Sequence, residues 1–175
     1  MARVITFSRF FPIYHPKAGE PTYFVEKILN SLGVTIQQVA KEKPYNNAAH
    51  IINDFFVMDG SDTKHHTIRS GNRWKVGDTF SPRVWKGKPY NSPQIQFAPD
   101  IEIKKVWNFD IYFEPYHKVV FKINHKQQNI KQMEILAKND GLEYIDLLDW
   151  FKVHPKLKAF HFEGQIICWS DTVNY

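Results

Sequence analysis

The sequence predicts an α+β fold: a small mixed β-barrel of about six strands with flanking helices, in one domain spanning 1–175. Three observations carry that expectation. From Thr67 onward the chain reads as short β segments separated by turn residues. Two amphipathic helical stretches lie between the last strand-like runs. No linker-like tract or fixed-period repeat divides the chain, and 175 residues can enclose a substantial core.

Each element has its own signal. "RVITFS" reads as an opening strand, followed by the Pro/Gly-punctuated loop "RFFPIYHPKAGEP". "PTYFVEKILNSLG" reads as a helix. Pro21 suits its first turn, Phe24, Val25, Ile28, Leu29 and Leu32 form an apolar stripe, and Gly33 can stop it. Residues 34–58 are ambiguous, with "NNAAHIINDFF" patterned as a helix through Ala48, Ile51, Ile52 and Phe55. "HTIRS" then gives a strand, "SGNRW" a turn, and "VGDTFSPRVW" a strand whose Pro82 predicts an edge or a bulge. "KGKP" turns the chain. "SPQIQF", "IEIKKVWNFDIYF" and "KVVFKIN" follow as strands. A helix over about 129–139 presents Ile130, Met133, Leu136 and Ala137. A second, "EYIDLLDWF", presents Tyr144, Leu147, Leu148 and Phe151, and "GQIICW" closes as a short buried strand.

Composition narrows the function classes. No apolar run is long enough to span a bilayer, and "MARVITFSRFF" is too short and interrupted for a signal peptide. The single cysteine, Cys168, permits no internal disulfide framework. A cytoplasmic protein is the expectation. Net charge is +5, yet the window from Lys64 to Lys88 alone carries +6, leaving the remainder at −1. Trp74, Phe80, Trp85 and Tyr90 lie in or just beyond that window. Cations for phosphates and rings for stacking bases are what a nucleic-acid surface needs. A solvated β-hairpin with lysines on its open face would give the same pattern.

The segments "ITFSRF", "KHHTIR", "KVGDTF", "LAKNDGLEYIDLLDWF" and "GQIICW", in that order, resemble the ASCH domain, a PUA-like β-barrel family associated with RNA and modified nucleosides, and their pattern is similar to that of its uncharacterised bacterial and phage proteins. The resemblance covers 4–10, 60–124 and 136–169, and leaves 11–59 as a helical insertion. The family signature is a glycine, one residue, a lysine, four residues and an arginine. Lys64 and Arg69 keep the lysine–arginine spacing, while the glycine position is occupied by Asp62. One branch resembles small amidohydrolases that remove an acyl group from N4-acylated cytidine. The resemblance implies Lys64, Thr67 and Asp140 as the catalytic set, with an aspartate where that branch carries the longer glutamate.

The residues can be read for chemistry directly. Strand side chains alternate faces, so Thr67 and Arg69 share one and His65 and His66 point apart. Lys64 and Thr67 can converge only if Lys64 sits on the loop leading into the strand or a bulge intervenes. A partly neutral Lys64 could deprotonate Thr67, whose hydroxyl would attack an acyl carbonyl, while Asp140 protonated the leaving amine or oriented the lysine. Against these stand plainer roles. Lys64 could contact a phosphate, Thr67 is an ordinary β-former, and "DGLE" reads as a capping box with Asp140 as N-cap and Glu143 three residues on. Arg69 could clamp a phosphate or pair with a carboxylate, Trp74 and Trp85 could be half-buried sheet residues, and Cys168 reads as inert.

The expected cleft is lined by Lys64, Thr67, Arg69 and Asp140. His66, Arg73, Trp85, Lys86 and Lys88 complete the expected substrate contacts. The expected partner is a nucleoside or RNA, with single-stranded DNA as an alternative and no membrane. No ligand pair has a metal-like spacing, so neither a metal nor another cofactor is expected. A non-catalytic reader of RNA or modified bases is the main rival to the amidohydrolase. A ribonuclease using His65 or His66 is a third class.

Overall fold

The computed structural model describes residues 2–41, 48, 62–114, 118–151 and 160–175. The elements run in the order β1 (Arg3–Thr6), α1 (Phe24–Leu32), α2 (Ile36–Lys41), β2 (His66–Ser70), β3 (Thr79–Trp85), β4 (Gln94–Gln96), β5 (Ile101–Glu102), β6 (Lys105–Glu114), β7 (Lys118–Ile123), β8 (Lys126–Gln127), α3 (Ile130–Asn139), α4 (Tyr144–Phe151) and β9 (Phe160–Cys168). The α+β class is as expected. Among the described residues, however, nine strands replace the expected six, and they pair into two sheets without closing a barrel. No helix among the described residues is long and apolar enough to cross a membrane. The helix expected over "NNAAHIINDFF" lies, apart from Ala48, outside the described residues.

Two compact units emerge, Met1–Lys64 with Asp78–Glu102, and His65–Gly77 with Ile103–Tyr175. The chain passes between them at 64/65, 77/78 and 102/103, so neither unit is a continuous stretch. That interleaving explains why no linker is visible in the sequence.

In the first unit β3 is central. It pairs in parallel with β1 and antiparallel with β4 and β5. Pro82 was expected at an edge or bulge, yet it sits inside this strand. The reason is local: β5 covers Thr79 and Phe80, β4 covers Arg83 to Trp85, and Pro82 falls in the gap between them. Its carbonyl accepts from the Phe97 N–H at 3.2 Å, so its missing donor would have pointed into that gap. Helix α1 buries Phe24, Val25, Ile28 and Leu29, each contributing about 1.5–3 kcal/mol. It ends in a Schellman motif: Gly33 is left-handed, its N–H reaches Asn30 O, and the Val34 N–H reaches Leu29 O. Pro21 is not in its first turn. The helix starts at Phe24, and Pro21 forms an isolated bridge with Phe10. In the ambiguous stretch, α2 starts from a reciprocal pair in which the Thr35 N–H donates to Gln38 Oε1 and the Gln38 N–H to Thr35 Oγ1.

In the second unit the sheet order is β2-β9-β6-β7-β8. The closing strand is longer than expected and lies inside the sheet, between β2 and β6. The run 101–113 is not one strand. It breaks at Ile103–Lys104, where the Ile103 carbonyl accepts from Gly77 and the Lys104 N–H donates to Cys168, so β5 and β6 belong to different sheets. Phe109 and Ile111 are fully buried, and Phe109 packs 5.9 Å from Phe151 of α4. Asn124 and His125, both with positive φ, form the tight turn that adds β8. Met133, Leu136 and Ala137 of α3 are buried as patterned, whereas Ile130 is exposed.

Candidate functional site

The first unit carries Lys64, Trp85, Lys86 and Lys88. Lys64 lies on the loop two residues before β2, and its side chain is only 1% exposed. Its backbone N–H donates to Lys27 O at 3.0 Å, and its ammonium sits 4.1 Å above the Phe24 ring. The same loop is tied to α1 by Asp62, 3.4 Å from the Lys27 ammonium, and by Asn30 Nδ2 on the Asp62 carbonyl. Asp62 thus anchors the segment that presents Lys64.

The hairpin from β3 to β4 carries the rest. Arg83 and Trp85 are two apart on β3 and share a face. Arg83 Nε donates to Ser81 Oγ at 3.1 Å. The tip is held by Lys86 N–H on Pro93 O, by Gly87 N–H on Ser92 Oγ, and by Ser92 Oγ on Lys88 O. Lys86 and Lys88 are exposed. Tyr90 is 87% exposed and adopts a left-handed φ of 64°, with its ring 5.4 Å from the Trp85 ring. A bulky residue held in that region is strained, and such strain clusters at functional sites. Nothing in "KPYNS" announces the backbone conformation of Tyr90, so the sequence alone does not place its ring in the site.

The second unit carries His66, Thr67, Arg69, Arg73 and Asp140. Residues His66 to Ser70 pair with β9 in regular antiparallel register, so successive side chains leave β2 on opposite faces. His66 is buried, and its Nδ1 lies 3.4 Å from Asp140 Oδ1. Thr67, also buried, points to the opposite face together with Arg69. The structure therefore brings Asp140 to His66 and keeps it from Thr67. Arg73 is exposed, with its guanidinium 5.6 Å from the Trp74 ring centre. Trp74, expected as a half-buried sheet residue, is instead buried in a loop, where its backbone N–H and C=O both bond the Gln165 amide. Trp85 matches the half-buried expectation.

Asp140 is not the N-cap of α4. It ends α3: its N–H reaches Leu136 O, Gly141 is left-handed and bonds Lys138 O, and the Leu142 N–H bonds Ala137 O. "NDGL" is thus a second Schellman motif, chosen because Gly141 takes the positive φ at no steric cost. The capping box belongs to the other end of α3, between Asn129 and Gln132. A carboxylate at a helix C-terminus faces the negative end of the macrodipole, so helix stability alone does not favour an acid at 140.

Tyr175 completes this cluster and had no signal in the sequence. Its ring meets the His66 ring edge-on at 5.6 Å and the Trp107 ring at 5.0 Å. The Asn139 side-chain amide donates to its hydroxyl at 3.1 Å. Burial, joined by the Asp140 charge and opposed by the Asn139 hydrogen bond, pushes its phenol well above the ordinary range. Burial, and then the neighbouring His66, lower the His65 pKa. The Cys168 thiol is buried, and that burial shifts its pKa upward, away from the thiolate form. No protein-family model, curated protein or solved structure matches this chain.

Proposed function

We propose that this chain is an ASCH-like protein of the PUA-like group, working in the cytoplasm, and that it binds single-stranded RNA through the hairpin between β3 and β4. The observation that carries this reading is the strained, exposed Tyr90 beside Trp85, flanked by Arg83, Lys86 and Lys88. Rings offered to solvent stack on bases irrespective of sequence, and flanking cations follow the backbone. The test is anisotropy of a labelled single-stranded RNA across a salt series, with single-stranded DNA and a free nucleoside as comparators. Binding that weakens with salt is expected, and Lys86→Gln with Lys88→Gln should flatten the slope by about 0.7 per lost phosphate contact. A slope unchanged by both substitutions would return the hairpin to ordinary solvated surface.

A second reading, hydrolysis of N4-acylated cytidine, is favoured by the burial of Lys64. In that reading Thr67 and Asp140, on opposite faces of one sheet, do not both serve one reaction centre. Release of cytidine from N4-acetylcytidine by the wild type, abolished in Lys64→Arg, supports it, because guanidinium stays protonated. No release by the wild type across several acyl groups removes it and leaves the RNA-binding reading standing.

A further inference from the structure

The face of the second sheet opposite Phe109 and Ile111 carries a group of side chains that the hairpin reading does not use. Asp110 of β6 stands directly across from Glu163 of β9, and Tyr112 across from His161. Positions two apart on a strand share a face, so Asp110, His161 and Glu163 converge. Their ligand-capable atoms all lie within 4.8 Å of one another. His161 Nε2 and Glu163 Oε1 are 3.4 Å apart. Two ligands each about 2.1 Å from a tetrahedral ion stand roughly 3.4 Å from each other. The His161 ring is oriented by stacking on Tyr112, with centroids 4.2 Å apart and planes at 19°.

Asp110 supplies the second, independent observation. It is only 9% exposed. Among the described residues its carboxylate makes no hydrogen bond and no ion pair, although it reaches the His161 and Glu163 atoms. The obvious neutralising partner is Lys122, its cross-strand neighbour on β7, but that ammonium lies over the Tyr112 ring at 5.2 Å. Losing most of its surface to the sheet without gaining a protein partner costs the carboxylate part of its hydration. A cation between it and the two exposed ligands removes that cost.

We propose that Asp110, His161 and Glu163 form a binding site for a divalent transition-metal ion. Two carboxylates balance the ion's charge, and one imidazole favours zinc, cobalt, iron(II) or manganese over calcium and magnesium, which prefer all-oxygen sets. Three protein ligands leave a coordination position for water or another ligand, unlike the closed four-ligand sets of purely structural zinc. The spacing His161-x-Glu163 is short and lies on a strand, and its third ligand comes from a strand some fifty residues earlier, so no linear motif signals it.

The test uses the full, untagged chain, stripped with chelator and titrated with Co2+. Visible d–d absorption reports inner-sphere binding, and equilibrium dialysis with Zn2+ gives stoichiometry. One ion per chain is expected, with at least about tenfold weaker affinity in each of His161→Gln, Glu163→Gln and Asp110→Asn. The first two residues are exposed, and the third change removes a buried charge while keeping its shape, so circular dichroism should show all three folded. A wild type that saturates with neither metal, or folded variants that titrate like the wild type, overturns the proposal.

Discussion

Replacing Tyr90 by glycine separates the stability of the hairpin from its proposed use. Tyr90 is held at a φ of 64°, a region that costs a residue with a Cβ about 1–2 kcal/mol and glycine almost nothing. Two effects oppose that relief. Glycine loosens the unfolded chain, a penalty of about 0.4–1 kcal/mol, and the contact with Trp85 at 5.4 Å is lost, worth about 0.5–1.5 kcal/mol. Little burial disappears, because Tyr90 is 87% exposed. The net change should lie between about 1 kcal/mol of stabilisation and about 1.5 kcal/mol of destabilisation, a shift in Tm of at most about 3–6 °C for a chain of this size. Binding should respond differently. A stacked base is worth about 1–3 kcal/mol, so Kd for single-stranded RNA should rise by about 5- to 150-fold. The assay pairs a thermal melt with anisotropy of a short labelled RNA. A folded Tyr90→Gly variant that binds RNA as tightly as the wild type would refute the argument, since no other role of the tyrosine survives its removal.

Three further outcomes follow from the second unit. Asp140→Asn should leave stability unchanged or raise it by about 0.3–1 kcal/mol, because it removes an anion from a helix C-terminus; a loss of about 3–5 kcal/mol on denaturant unfolding would instead reveal a charged buried pair with His66. Gly164→Ala should destabilise by about 1–3 kcal/mol, because a methyl group there would collide with the Arg69 carbonyl oxygen across the β2–β9 pair; a neutral melt would mean that the strands can separate there at no cost. Tyr175 has its phenol shifted upward, so the unfolded chain ionises first above the ordinary value of 10.0 and stability falls as pH rises through it. Tyr175→Phe should therefore flatten the alkaline decline, though Tyr14 and Tyr144, also shifted upward by burial, keep part of it; an unchanged alkaline slope would show that the Tyr175 side chain is not buried in solution.

Where the sequence was read correctly, a local pattern determined the element. The α1 stripe and Gly33, the α3 periodicity, and the β1, β2, β4 and β7 segments all follow from neighbours within a few residues. The misreadings share another origin. Pro82 reads as an edge or bulge residue because pairing partners are invisible in one strand's sequence, and it is the gap between β4 and β5 that admits it. The 101–113 run looked continuous because apolar patterning does not report a change of sheet. "DGLE" satisfied the capping-box spacing, yet the glycine two residues before Glu143 serves α3 better as a terminator than Asp140 could serve α4 as a start.

The candidate site shows the same limit more sharply. "KHHTIR" concentrates chemistry-bearing residues in six positions, which suggested one pocket. A β-strand distributes such a run instead of gathering it: His66 goes to the Asp140 side, and Thr67 and Arg69 go to the other. Any reaction centre on the His66 face would draw on Asp140, Tyr175 and Trp107, and any on the opposite face on Thr67 and Arg69. Substitution can distinguish these. If the acyl-cytidine reaction occurs, it should be abolished by only one of Asp140→Asn and Thr67→Val, measured by cytidine release from matched folded proteins. Loss in both, with unaltered melts, would mean that the β2 alternation does not separate the two groups and would restore the three-residue catalytic set.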